Sequence, residues 1–420
     1  LWSGGECADA RSEKHSDLWF VGAGVPILYE FVWPEVGLKW PWPAMFLGSQ
    51  GMVLSLVSCL SLFICLELVE MQTVLTGFFN GRVAIGLKRL LLVAIAILTV
   101  GCTKFFLPSL ETNPWQMIAL ETDATFSDVA FTTDVNHGWL VGSRSTLFET
   151  TDAGQTWEQK ALDLGEQRYT FTSVSFVGDE GWVVGLPSVL LHTTDGGQSW
   201  AKVPLSSQLP GSPLMVTALG KGTVEMATDV GAIYRTEDSG RNWTALVQAA
   251  VGVVRNITRG DDGRYVAVSS RGNFYSTWEP GEDSWQPHNR DNSKRLQNMG
   301  FTSGGDLWLI ARGGQMQFSQ PDETPDVPKY ESWGDPVRPE IGSSWGFLDV
   351  GYRTSDEMWV SGGSGTLLMS PDAGETWLKD EPAGDVPSNL YRIKFFGQEQ
   401  GFILGQRGYL LRYAPEDATV

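Results

Sequence analysis

A chain of 420 residues with 48 glycines and 18 tryptophans has the turn density and large apolar anchors of an all-β protein built from short strands. Aspartate and glutamate outnumber lysine and arginine by 49 to 30, and the resulting net charge of -19 repels nucleic acid, which excludes DNA and RNA as general partners. The four cysteines, Cys7, Cys59, Cys65 and Cys102, all lie in the first quarter. Neither a disulfide framework nor a cysteine-ligated metal site is therefore expected beyond it.

Residues 1–70 contain an apolar stretch at 52–66 that could form a short membrane segment. The segment reads instead as an over-extended gene start without a native fold, because Met71 opens a well-formed signal peptide over 71–101. Lys88 and Arg89 supply its positive region, and 90–100 is an 11-residue apolar run broken only by Thr99. That run is too short to span a bilayer of about 30 Å. Cys102, directly after Gly101, resembles the bacterial lipoprotein box, which implies cleavage before Cys102 and a lipid anchor on it. Thr99 stands where such boxes usually carry Leu, and a plain signal peptide remains the alternative. Residues 102–112 then read as a linker.

From 113 to 420 the chain repeats. Tryptophans recur at 115, 157, 200, 243, 285, 333 and 377, with spacings of 42, 43, 43, 42, 48 and 44. Each interval holds the four short strands of one propeller blade, as in FTTDVNHGWLVGSRSTLFETTDAGQTW at 131–157. The last unit, 395–417, supplies three strands and ends without a Trp, whereas Trp115 has no strands before it. These two ends complement each other. The sequence predicts an all-β, seven-bladed β-propeller, monomeric, closed by its amino-terminal strand.

The turn before Trp has the Asp-box form, Ser/Thr-x-Asp-x-Gly-x-Ser/Thr-Trp. It appears with Asp152, Gly154 and Trp157, with Asp195, Gly197 and Trp200, and with Asp372, Gly374 and Trp377. A fourth copy, with Asp238, Gly240 and Trp243, has Asn242 in place of the hydroxyl residue. Units four and five have lost the motif, and unit five carries a Pro-rich insertion. These carboxylates sit at repeated turns rather than at one centre, so they read as structural: Asp caps backbone N–H groups, Gly takes positive φ, and Trp packs between sheets.

No catalytic cluster is visible. His15, His137, His192 and His288 lack ligand spacing, and no Walker loop or Gly-x-Ser-x-Gly elbow occurs, so no metal or cofactor is expected. The arginines carry a different signal. Repeat phase puts Arg144, Arg271, Arg312 and Arg407 in the turns between second and third strands, and Arg168, Arg255 and Arg295 in the loops entering first strands. Both sets open on one face, opposite the Asp-boxes. Arg259, Arg264 and Arg353 fall elsewhere in their blades; the first two are carried as further candidates. Guanidinium forks suit carboxylates and acidic peptide segments, so this face is the expected partner-binding surface.

The repeats HGWLVGSRSTLFETTDAGQTW and GWVVGLPSVLLHTTDGGQSW, closure by the segment NPWQ, and the lipobox-type leader together resemble the photosystem II assembly and stability factor family of cyanobacteria and plastids. The resemblance covers about residues 80–420. It implies a non-catalytic assembly factor, lipid-anchored on the lumenal side of the thylakoid membrane. There it would bind the newly made reaction-centre core subunit precursor through an arginine patch matching Arg255, Arg271, Arg295 and Arg312 in kind. A sialidase-like glycosidase, which shares Asp-boxes, and a generic periplasmic lipoprotein scaffold are the rival readings.

Overall fold

The structure, a computed structural model, describes residues 107–288, 293–320, 330–339 and 346–415. The segment 1–70, the signal peptide 71–101, Cys102 and the Pro-rich stretch 321–329 lie outside the described residues. Within them the strands form seven antiparallel sheets arranged as a seven-bladed propeller. Blade one runs outward from the axis as Phe126–Phe131, Gly138–Gly142, Thr146–Thr150 and Glu158–Gln159. Blades two, three, four and six repeat that order behind inner strands Thr170–Val177, Pro213–Gly220, Val254–Arg259 and Phe347–Tyr352.

Blade five differs from the four-stranded expectation. Among the described residues it has three strands, beginning with Leu296–Phe301, and its outer edge shows two bridges, Ser319 to Trp333 and Met316 to Val337. The missing Asp-box removes the tight turn that would hold a fourth strand in register. Trp333 still packs edge-on to Tyr275, 5.9 Å between ring centres, so the anchor survives the loss of the strand.

Blade seven closes the ring. Its own chain supplies Leu390–Phe396, Gln400–Gly405 and Tyr409–Tyr413, and the outer strand is Trp115–Ala119 from the other end of the chain. Trp115 lies opposite Tyr413 and Ala119 opposite Tyr409. This pairing removes the free edge that an open ring would expose. The stretch read as a linker is docked from Leu107 onward: Ser109 bridges Lys379 in parallel, and Leu107 and Leu110 pack on neighbouring core clusters.

Second strands such as Gly138–Gly142, Tyr265–Ser269 and Leu307–Ala311 are buried at every position. Each is covered on both faces by adjacent blades, which is why GWLVG and LWLIA read as continuous apolar runs rather than alternating ones. The core is divided into seven clusters, each lying between two neighbouring blades. Trp139 of blade one, for example, packs with Phe171 and Val183 of blade two.

The Asp-boxes lock the turns and also join blades. Asp195 accepts the Thr193 hydroxyl at 2.6 Å, the Ser199 N–H at 2.9 Å and the Ser199 hydroxyl at 2.5 Å. Asp152, Asp238 and Asp372 repeat this pattern. The Ser199 and Thr193 hydroxyls, with the Ser199 N–H, pull the Asp195 carboxyl down to about 2. Meanwhile the Trp139 indole of blade one donates to Gly196 O of blade two at 2.8 Å.

Gly197 has φ +96°, and a Cβ there would lie 2.4 Å from the Trp139 ring. Gly197→Ala should therefore cost about 3 kcal/mol, combining backbone strain with overpacking at the blade junction. Gly165→Ala, at φ +75° with nothing within 4 Å, should cost only about 1 kcal/mol. Urea unfolding of the two variants measures the difference; equal losses would mean that the contact across blades contributes nothing.

Candidate functional site

Antiparallel alternation sends the turns between second and third strands, and the loops entering first strands, to one face of the disc. The other two kinds of turn go to the opposite face. On the first face, the turn of one blade abuts the entrance of the next: Ser145 N–H donates to Tyr169 O at 2.6 Å, and Leu296 N–H to Gly272 O at 2.8 Å. This repeated contact brings arginines together in pairs.

Arg271 sits beside Gly272, and Arg295 beside Leu296, so the blade four turn and the blade five entrance meet at these two residues. Arg312 N–H donates to Arg295 O at 2.9 Å, and Arg255 Nη1 donates to Leu296 O at 3.2 Å and to the Gln297 side chain. Four guanidinium-bearing residues, all exposed, thus share one stretch of rim. A second arc spans blades seven, one and two. Gly408, next to Arg407, donates to Ala124 O at 3.0 Å, and the Ser145–Tyr169 contact brings Arg144 near Arg168. Arg144 also meets Asp123 at 3.4 Å, an exposed pair worth little.

The other candidates lie apart from these arcs. Arg259 ends the blade four inner strand and donates to Glu225 at 2.7 Å, an oxygen shared with the Tyr265 hydroxyl. Arg264 lies in the following turn, on the Asp-box face, bonded to Asp262, Gly305 O and Tyr330. Arg353, in the corresponding turn of blade six, pairs with Glu357. These three are tied into junctions within the protein. Arg255 is also placed differently from the sequence expectation: it is the second residue of an inner strand rather than part of the loop before it. Strand pairing reaches further toward the rim than the repeat pattern indicated.

Acids recur at one position of the repeat. The turns after first strands carry exposed acids in six blades: Asp134, Asp179, Asp261, Asp306, Asp356 and Glu399. Those turns contact the Asp-boxes, as in Gly196 N–H to Asp179 O at 2.9 Å and Ala373 N–H to Asp356 O at 2.7 Å. The chain thus carries its arginine arcs on one face, interspersed there with exposed acids such as Asp123 and Glu166, and a ring of turn acids on the other.

Sequence reasoning missed the axis. The inner strands enclose a cavity of about 470 Å³, lined from all seven blades. Lys394 Nζ meets Asp128 at 3.0 Å, and Arg392 Nη1 meets it at 3.4 Å while donating to Ser127 O at 3.1 Å. Burial pushes the Asp128 carboxyl up, but Arg392, Lys394 and the Val174 N–H outweigh it and hold the group below its ordinary value. Asp349 accepts from Asn298 at 2.9 Å and from the Ile393 N–H at 2.9 Å. Burial dominates there and raises its pKa to about 6, against the pull of Arg392. The available signal was the run Leu390-Tyr-Arg-Ile-Lys-Phe-Phe, with two cations inside an otherwise apolar strand. His137, His192 and His288 face Glu149, Glu180 and Glu331 in separate blades. Among the described residues no group of three or more His, Cys, Asp or Glu side chains is arranged to hold a metal ion.

A family model described as photosynthesis system II assembly factor YCF48 matches residues 107–414. The photosystem II assembly lipoprotein Ycf48 of Picosynechococcus sp. is 56% identical over 326 residues, covering 78% of this chain and 94% of the relative. A solved structure titled "YCF48 bound to D1 peptide" is 56% identical with a TM-score of 0.70, covering 74% of this chain and 99% of that one. YCF48 from Cyanidioschyzon merolae is 40% identical with a TM-score of 0.67, covering 72% and 99%.

Because Asp349 is harder to ionise folded, near 6, than unfolded, near 3.9, its proton stabilises the fold below about pH 4. That contribution is lost as pH rises through 6. Asp349→Asn should therefore narrow the stability difference between pH 4.5 and pH 7 by about 2 kcal/mol. Urea titrations at the two pH values measure it; an unchanged difference would mean that the carboxyl is not held protonated.

Proposed function

Since this chain belongs to the photosynthesis system II assembly factor YCF48 family, we propose that it is a non-catalytic binding platform whose arginine face docks an acidic or carboxylate-bearing segment of a newly made reaction-centre core subunit. The single observation that carries this reading is the gathering of Arg255, Arg271, Arg295 and Arg312 by backbone contacts between blades four and five. Exposed guanidiniums with fixed backbones offer paired donors to carboxylates at small entropic cost. The YCF48 relative titled as bound to a D1 peptide supports the same kind of partner.

The lipoprotein name carried by the Picosynechococcus relative supports Cys102 as the anchor, with the propeller held at the lumenal membrane surface. The assembly-factor names of the relatives, and the tying of Asp128 and Asp349 into hydrogen bonds between blades, favour binding over glycoside hydrolysis. A retaining or inverting glycosidase needs an available carboxyl pair flanking its substrate.

Arg271→Glu, Arg295→Glu and Arg312→Glu combined should weaken binding of a D1 peptide at least about a hundredfold, each lost charge-assisted contact contributing about 1 to 2 kcal/mol. The melting temperature should shift by less than about 2 °C, because the side chains are exposed. Fluorescence anisotropy with the labelled peptide and a thermal melt measure both quantities. Undiminished binding by the triple variant would overturn the assignment of this face.

A further inference from the structure

The pairing of first and second strands shows one irregularity that recurs in all seven blades. Register shifts occur between Phe126 and Asp128, Phe171 and Ser173, Pro213 and Met215, Val254 and Asn256, Leu296 and Asn298, Phe347 and Asp349, and Leu390 and Arg392. Each shift leaves one residue unpaired near the start of an inner strand. These seven residues therefore ring the axial opening on the arginine-bearing face. Bulges at a barrel rim redirect side chains, and here most of the redirected ones are neutral. Arg255 is the charged one; it and Tyr391 are the exposed members of the seven, and both line the axial cavity together with Arg392.

The charges around this cavity do not cancel. Arg255, Arg392 and Lys394 stand against Asp128 and Asp349, so three cations face two carboxylates. Asp349 accepts bonds from Asn298 and the Ile393 backbone instead of forming an ion pair. Among the described residues Arg392 bonds only through Nη1, and Arg255 likewise, which leaves Nε and Nη2 of both guanidiniums with donors to spare. A cavity of about 470 Å³ is large enough for one or two residues of an extended chain, but too small for a folded element.

We propose that the axial opening is a further carboxylate site, adjoining the rim at Arg255, which seats the free terminal carboxylate of an extended peptide on Arg392 and Arg255. The site rests on the proposed docking of an acidic segment and adds an end-specific contact to it. The rim arginines hold side-chain acids along the segment, and the channel reads where the segment stops. An internal acidic stretch, having no terminal carboxylate, would use the rim alone.

Two N-acetylated peptides composed of Glu, Ala and Ser, identical except for a free or an amidated carboxyl end, provide the test by calorimetry. Amidation should weaken binding to the unaltered protein about tenfold, the worth of one or two charge-assisted hydrogen bonds. Arg392→Gln should reduce that preference to less than about twofold. Arg392→Lys, which keeps the charge facing Asp128 but loses the fork, should do the same if the Gln variant fails to fold. The Arg271, Arg295 and Arg312 reversal should weaken both peptides and leave the preference intact. Equal binding of the two peptides by the unaltered protein overturns the channel site alone, as does a preference that survives at position 392. Binding of neither peptide overturns the rim reading together with it. Tight binding of free succinate, without any preference between the peptides, overturns the assignment to a chain end.

Discussion

A single blade is a small twisted sheet with two apolar faces and cannot bury either of them by itself, so every blade depends on contact with its neighbours. The seven core clusters lie between blades, not within them, and each junction also carries polar bonds. Asp128 of blade one accepts from Ser173 of blade two and is met by Lys394 of blade seven. Asn298 of blade five donates to Asp349 of blade six, which in turn accepts from Ile393 of blade seven. Glu225 and Arg259 join blades three and four. Such a ring is only as sound as its last junction, and Trp115–Ala119 completes it by pairing with the chain's other end.

The same interlocking determines which surface groups are free to act. Arginines at junctions on the Asp-box side, Arg259 and Arg264, are occupied in holding neighbouring elements together. Arginines in the turns of the opposite face meet mainly backbone and solvent, so their guanidiniums stay available. A ring of turn acids lies on the first side and the two arginine arcs on the second. A protein of net charge -19 can thereby offer a cationic surface to an acidic partner.

Much of this was legible in the sequence because repetition shows phase. Trp spacing, the Asp-box turns and the unmatched chain ends were enough to fix seven blades and closure by Trp115–Ala119. Phase also identified which turns share a face, and so grouped Arg271, Arg295 and Arg312. It could not reveal that among the described residues blade five's outer edge would be two bridges, because a missing Asp-box does not say what replaces it. The place of Arg255 within a strand was hidden for a related reason: a bulge leaves no mark in apolar periodicity.

Amino-acid sequence alone determined the repeat, its closure and the side of the disc on which each turn emerges, because these follow from local strand alternation and turn chemistry. Tertiary structure alone decided which arginines are neighbours, which are consumed at junctions, and that Arg392, Lys394, Asp128 and Asp349 converge on one axis. Those groupings join residues up to 266 positions apart, as for Lys394 and Asp128. Contact at such separation depends on how one blade rotates against the next, and that angle is set by side-chain packing between sheets, which no pattern along a single strand encodes.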